Sequence, residues 1–214
     1  MNLIGSGAEA NIYSDENKVI KKRVSKSYRL KELDEAIRKK RTRTESKIIQ
    51  TLQKTSVCVP KFINSDNTQV VEMELINGQK LRDILNKNIS LSLEIGKNVA
   101  ILHKNGIIHG DLTTSNMILN RENNICFIDF GLSFFSKKIE DKAVDIHLFK
   151  QALESKHHTV SDACFKLFLQ GYKQGCKEVE SKSIKMKNNH NSADYDHIMQ
   201  RFEEVEQRGR YKHK

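Results

Sequence analysis

Over roughly the first 75 positions, apolar residues alternate or gather in short runs, and turn-forming residues separate them. The opening reads as a short strand, a Gly-rich turn at Gly5-Ser6-Gly7-Ala8-Glu9-Ala10 and a second strand around Asn11 to Ser14. Asp15-Glu16-Asn17 forms a turn cluster, and strand character resumes at Lys18-Val19-Ile20-Lys21. From about Leu33 to Leu52 the period changes to that of a helix, with Ile37, Ile48, Ile49 and Leu52 set among charged residues. Pro60, the only proline, ends that pattern ahead of strands near Phe62-Ile63 and Val70 to Leu75. Asn77-Gly78 then marks a turn.

Beyond that turn the pattern is mostly helical. Leu81 to Asn86 and Leu91 to Lys104 predict helices, the second with Ile95, Val99 and Leu102 on one face and Gly106 just past its end. Met117-Ile118-Leu119 and Ile125 to Ile128 are short apolar strands joined by a polar turn. Asp145 to Leu153 and Val160 to Gln170 predict further helices, whereas lysine-rich Lys177 to Asn191 predicts a loop. Ser192 is expected to cap a last helix through Ile198, Phe202 and Val205, before a basic tail. The fold class is therefore α+β, with a small β-rich lobe over 1–75 and a helical lobe over 76–214.

Composition narrows this picture. The 214 residues are 37% hydrophobic and 30% charged, as suits a soluble globular protein. No run of ~18 apolar residues occurs, and the start Met1-Asn2-Leu3-Ile4-Gly5 lacks a secretory pattern, so no membrane association is expected. Cys58, Cys126, Cys164 and Cys176 lie far apart without a CxxC pair. That argues against a zinc site and a disulfide framework and favours a reducing, cytoplasmic or nuclear setting. The histidines have no metal spacing, and His157-His158 and most of the others read as surface residues.

Charge changes the picture more. Fourteen Lys/Arg and four Asp/Glu fall between Lys18 and Lys54, a local surplus as large as the whole chain's net +10. Such a field attracts polyanions. Its densest run, Arg38-Lys39-Lys40-Arg41-Thr42-Arg43, reads as an RNA-facing stripe, a nuclear-targeting cluster or a solvated helix face.

Candidate chemistry lies in His109-Gly110-Asp111-Leu112-Thr113-Thr114-Ser115-Asn116 and, downstream, Ile128-Asp129-Phe130-Gly131. Phosphoryl transfer from ATP needs a carboxylate to orient the nucleophile and oxygen ligands for Mg²⁺. Asp111 fits the first task, and Asn116 and Asp129 fit the second. Upstream, Gly5-x-Gly7 precedes Lys21, and Glu45 is a lone acid in a basic helix. Lys21 and Glu45 fit the phosphate-gripping lysine and its helix glutamate, with a salt bridge to Arg41 within the helix as the plainer, less favoured reading of Glu45. Strand alternation selects Lys21 over Lys22, because Lys21 shares a face with Val19. Ile4, Gly5, Ser6, Gly7, Ala8, Ile12 and Val19 would cover the nucleotide, with Met73, Glu74 and Ile76 beside the adenine.

These segments, with Arg23, Tyr28-Arg29, Glu140-Asp141-Lys142-Ala143-Val144-Asp145 and the terminal Arg208-Gly209-Arg210, closely resemble the small atypical kinase subunit of the KEOPS (EKC) complex. The resemblance spans nearly the whole chain. It implies a minimal two-lobed protein-kinase-like fold, weak serine/threonine kinase activity with autophosphorylation, and an ATPase role in forming threonylcarbamoyladenosine in tRNA. It further implies a threonylcarbamoyl-transferase subunit, a small regulatory subunit and tRNA as partners, with Arg208 and Arg210 at RNA or partner contacts; the local charge surplus and the basic tail add Arg38, Lys39, Lys40, Arg41, Arg43 and Lys212 to those contacts. Departures from ordinary protein kinases point away from peptide substrates. Gly110 replaces the arginine that reads a phosphorylated activation loop, Thr113 stands at a usual lysine position, and no APE motif separates Asp129 from Asp145. Two other readings are a kinase-shaped tRNA-binding scaffold without activity and a small-molecule phosphotransferase, for which little sequence follows Asp129.

Overall fold

A computed structural model of the chain describes residues 1–7, 9–183 and 193–210; for 178–183, 193–194 and 209–210 only the backbone path is described. Strands β1 (Asn2–Ser6), β2 (Ala10–Asp15), β3 (Lys18–Arg23), β4 (Phe62–Ser65) and β5 (Val70–Glu74) form a five-stranded antiparallel sheet in the order β1-β2-β3-β5-β4. Helix α1 (Lys31–Leu52) carries Glu32 and Asp34 in its first turn, where they favour the helix dipole. Thr42, Glu45, Ser46, Ile48, Ile49 and Leu52 form its buried stripe. Ile48, Ile49 and Leu52 join Val71 and Met73 of β5 in the core, which presses α1 onto the sheet.

The second lobe holds β6 (Gly78–Lys80), β8 (Met117–Asn120) and β9 (Ile125–Phe127) as a three-stranded sheet, and β7 (Ile107–Ile108) pairs with β10 (Phe134–Phe135). Its helices are α2 (Leu81–Ile84), α3 (Leu91–Lys104), α4 (Ile139–Lys156), α5 (Ser161–Ser183) and α6 (Ala193–Arg210). Helix α3 buries Ile95, Val99 and Leu102 against α5, whose Phe168 and Tyr172 are fully buried. Helix α6 lies on α4, fastened where Glu206 meets His147 and Lys150 and where Glu140 meets Arg201.

Several expectations change. Helix α5 continues through Ser183, so the loop expected from Lys177 begins as helix. Nothing breaks its helical spacing there, and Lys, Glu and Ser tolerate a solvated helix. Ser192 and the rest of that stretch lie outside the described residues. Cys58 and Cys126 form a disulfide, against the expectation from their spacing. The loop after α1 runs parallel to β9 and brings the two Cα atoms to 4.4 Å, a proximity that no local pattern announces. Histidines also move inward. His103 is buried between Tyr172 and Asp145, and His157 between Thr114 and Asn86. No described helix is long and apolar enough to cross a membrane.

Candidate active site

Register across the first sheet sets Ile12, Lys21 and Val71 side by side on β2, β3 and β5. The two-residue alternation of β3 buries Lys21 and leaves Lys22 exposed. Lys21 Nζ lies 2.7 Å from Glu45 Oε1 and 2.7 Å from Asp129 Oδ1. The second oxygen of Glu45 takes a 2.5 Å hydrogen bond from an Arg23 Nη. Glu45 therefore reaches across to β3, and Arg41, one turn before it on α1, pairs with Glu9 at 2.8 Å. Burial alone would discharge Lys21, but the carboxylates of Glu45 and Asp129 outweigh it and raise its pKa. At Asp129 burial pushes upward, and Lys21 outweighs it and holds the carboxyl below its ordinary value.

Asp129 follows β9 in the left-handed region, φ +62°, an uncommon conformation for a residue with a side chain. Its Oδ1 accepts from Lys21 and from the Gly131 amide at 3.2 Å, contacts that hold the conformation. A Cβ at position 131 would sit 3.0 Å from both Asp129 Oδ1 and Lys21 Nζ, so glycine keeps the pocket open. Asn116 Nδ2 donates to the carboxylate of Asp111 at 2.8 Å and to its carbonyl at 3.0 Å. Asn116 Oδ1 and Asp129 Oδ2 are left without hydrogen-bond partners among the described residues, and two such oxygens are the hard donors that magnesium takes.

Buried Asp145 underpins the loop that carries Asp111. It accepts from the amides of His109 and Gly110, both at 2.9 Å, and meets His103 Nε2 at 3.1 Å. Burial would raise its pKa, but the His103 ring beside it and the hydrogen bond from the His109 amide keep it low. The ring of His109 packs 5.1 Å from that of Phe130, with neither nitrogen bonded, and burial lowers its pKa and keeps it neutral. Gly110 adopts φ +76° with its Cα against the Leu132 carbonyl, where a Cβ would come within 2.6 Å. The segment after Asp129 thus packs directly on the loop that carries Asp111. Ser133 donates to the His109 carbonyl at 2.6 Å, and the Ser136 amide donates to the Gly106 carbonyl at 2.8 Å.

Together these elements enclose a cleft of about 390 Å³ lined by Gly5, Ser6, Gly7, Glu9, Ala10, Ile12, Lys21, Arg23, Arg41, Asp111, Asp129, Gly131 and Leu132. Ala8 lies outside the described residues. Of the other positions expected to touch nucleotide, Ile4 is exposed, while Val19 and Met73 face each other in register beyond the cleft lining. The Glu74 amide is taken by the Lys61 carbonyl at 2.9 Å. Ile76 follows β5 outside any strand.

The expected RNA contacts divide. Lys39 and Lys40 point to solvent, and Arg43, also exposed, donates to the Asn67 carbonyl at 3.2 Å. Arg38 is half-buried between Asp34 and Gln69, and Arg41 faces the cleft. Arg208 meets Glu140 at 3.1 Å, whereas the Arg210 side chain and Lys212 lie outside the described set. Sequence reasoning missed Arg23 and Glu9 as parts of the site. The one available signal for Arg23 was its position two residues after Lys21 on the same strand face.

Comparison with known proteins fits this geometry. The protein kinase domain model matches residues 1–152. The chain is 37% identical to KEOPS complex subunit Bud32 of Pyrococcus abyssi, over 99% of this chain and 97% of that one. It is 44% identical to EKC/KEOPS complex subunit BUD32 of Enterocytozoon bieneusi, over 74% of this chain and 84% of that one. A probable bifunctional tRNA threonylcarbamoyladenosine biosynthesis protein of Methanobrevibacter smithii is 38% identical over 99% of this chain, which spans 37% of that longer protein. Among solved structures, the Rio2 kinase–ADP/Mg²⁺–phosphoaspartate complex of Chaetomium thermophilum shares the fold, with a TM-score of 0.56 and 18% identity over 94% of this chain and 70% of that one.

Proposed function

We propose, from the premise that the chain belongs to the protein kinase family and within it to the Bud32 subunits of KEOPS, that it is an atypical serine/threonine kinase and ATPase supporting threonylcarbamoyladenosine formation in tRNA. The observation that carries the reading is a cleft lined by Lys21, which Glu45 and Asp129 hold, and by Asp111, which Asn116 holds. Bound Mg²⁺-ATP supplies the transferable phosphoryl group and the metal's charge. The residues supply position and field, which is most of what phosphoryl transfer asks of a protein.

Lys21, kept cationic by Glu45, grips phosphate oxygens, and the Gly5–Gly7 backbone lies over them. Asn116 and Asp129 would hold the metal through the oxygens left open on them. Asp111, positioned by the Asn116 amide, orients the attacking hydroxyl or water. Val19, Met73, Glu74 and Ile76 border the adenine. The segment after Asp129, anchored on Gly110 and His109, offers no long peptide-docking platform. This favours hydrolysis, autophosphorylation or a few dedicated substrates. Lys39, Lys40 and Arg43 form the RNA-facing part of α1, with Arg208, Arg210 and Lys212 nearer the chain's end. The partners proposed are tRNA, the threonylcarbamoyl-transferase subunit and a small regulatory subunit, in the cytoplasm or nucleus. The longer bifunctional relative, which joins a chain like this one to further sequence, supports such a partnership.

The test is Mg²⁺-ATP turnover by purified protein, alone and with tRNA and the transferase subunit. Asp111→Asn should lose about 10²–10⁴-fold in rate, the usual worth of a positioned base. Asp129→Asn should abolish the turnover that tRNA and partner stimulate. Turnover indifferent to Asp129 under all those conditions would leave only the scaffold reading.

A further inference from the structure

Three cations line the cleft among the described residues, and they are held differently. Lys21 and Arg23 are buried and share Glu45. Arg41 is about one-third exposed, and its partner Glu9 sits on the Gly-rich turn. Glu9 also takes Arg29 at 3.3 Å, and its carbonyl accepts from the Val24 amide at 3.2 Å. Partial burial pushes Glu9 upward, but Arg41 and Arg29 outweigh it and keep the carboxylate charged. If Arg41 left, Glu9 would still have Arg29.

Position gives Arg41 its reach. It lies four residues before Glu45, on the face of α1 turned to the site, and it shares the cleft lining with Asp111, Asp129 and Leu132. These residues mark the end where a terminal phosphate reacts. A partly exposed ion pair such as Arg41–Glu9 is weakly held, because water screens it. A guanidinium on a phosphate makes stronger, charge-assisted and often bidentate bonds in a site closed from water.

We propose that Arg41 is a specificity residue for the terminal phosphate. It pairs with Glu9 while the cleft is empty and passes to the γ-phosphate of ATP when the nucleotide binds. Glu9 then stays with Arg29. The exchange makes the site bind a triphosphate in preference to a diphosphate. It rests on the nucleotide-site reading above, and it gives Arg41 a task in the cleft in place of an RNA contact.

The experiment compares dissociation constants for β,γ-imido-ATP and for ADP, both with Mg²⁺, in wild type, Arg41→Ala, Arg41→Lys and Glu9→Gln. Nucleotide-free thermal midpoints serve as the folding control. Arg41→Ala should weaken the triphosphate analogue about tenfold or more, the worth of a hydrogen bond to a charged group, and ADP less than about twofold. Arg41→Lys should recover part of the loss, and Glu9→Gln should tighten the analogue by removing the competitor. Equal effects of Arg41→Ala on both nucleotides, or none, overturn the proposal. If Arg41→Ala does not fold, Glu9→Gln decides, and unchanged or weaker analogue binding overturns it. A wild-type protein that binds neither nucleotide would remove the nucleotide-site reading itself.

Discussion

In the hairpin between β4 and β5, Asp66 Oδ1 accepts the amides of Thr68, Gln69 and Val70, each at 2.8 Å. The slight burial of the carboxyl pushes its pKa up, but these amides outweigh it and hold it down to about 2. A folded-state value below the unfolded one means stability that is present at neutral pH and is lost as pH falls through the folded value. Because the group is largely exposed, Asp66→Ala should cost only about 1 kcal/mol at pH 7, the scale of a lost capping side chain. Urea titrations of both proteins should show that gap narrowing from pH 4 and closing near pH 2; a gap independent of pH would refute the assignment. At this scale the order of motifs along the chain was enough to name Lys21, Asp111 and Asp129, which line one cleft, and Glu45 and Asn116, which hold Lys21 and Asp111 there. Arg23, Glu9 and the interior histidines were not legible in the same way. Their partners lie on other elements, and side-chain reach between elements depends on how α1, β3 and α4 pack rather than on local spacing.

Helices α3 and α5 approach along a line of glycines. A Cβ at Gly96 would lie 2.0 Å from the Phe168 carbonyl oxygen, and one at Gly171 would lie 1.9 Å from that of Leu93. Backbone atoms cannot swing aside as a long side chain can, so the helices would have to part. Gly96→Ala is therefore expected to destabilise by about 1–3 kcal/mol or more, despite alanine's better helix propensity. A denaturation midpoint at or above that of wild type would show that the seam yields. The bounds of α3 were readable from Leu91 to Lys104, because its apolar period is regular and Gly106, at φ +66°, ends it. Strands β6, β7 and β10 are only two or three residues long and give no period to read. They exist because backbone groups need partners: β6 finds its partner in β8, and β7, just before the loop that carries Asp111, finds it in β10 after Asp129.

At the scale of the molecule, six of the fourteen basic residues between Lys18 and Lys54 are held in ion pairs, some with acids from outside that stretch. Lys21 and Arg23 meet Glu45, Arg29 and Arg41 meet Glu9, Arg38 meets Asp34, and Lys18 meets Glu72. The field that remains for a polyanion is correspondingly narrower than the count suggests. The same stretch helps to join the lobes, which are linked by the chain crossing after β5, by the Lys21–Asp129 pair and by the Cys58–Cys126 bond. Beside that bond the Phe127 amide donates to the Cys58 carbonyl at 2.9 Å, and Val57 and Val59 are buried in the shared core. The bridge closes a loop across 68 positions, for which chain entropy alone gives about 4 kcal/mol, an upper figure because the packing around it survives reduction. Reductant, or Cys58→Ser, should therefore lower the thermal midpoint by several degrees. The KM for ATP should stay within about twofold, since the pairs that hold the cleft do not pass through either cysteine. A midpoint that ignores reductant would mean that packing alone holds the lobes. A large shift in KM would mean that the bond also sets how the cleft opens, which would make the junction between the lobes part of the site.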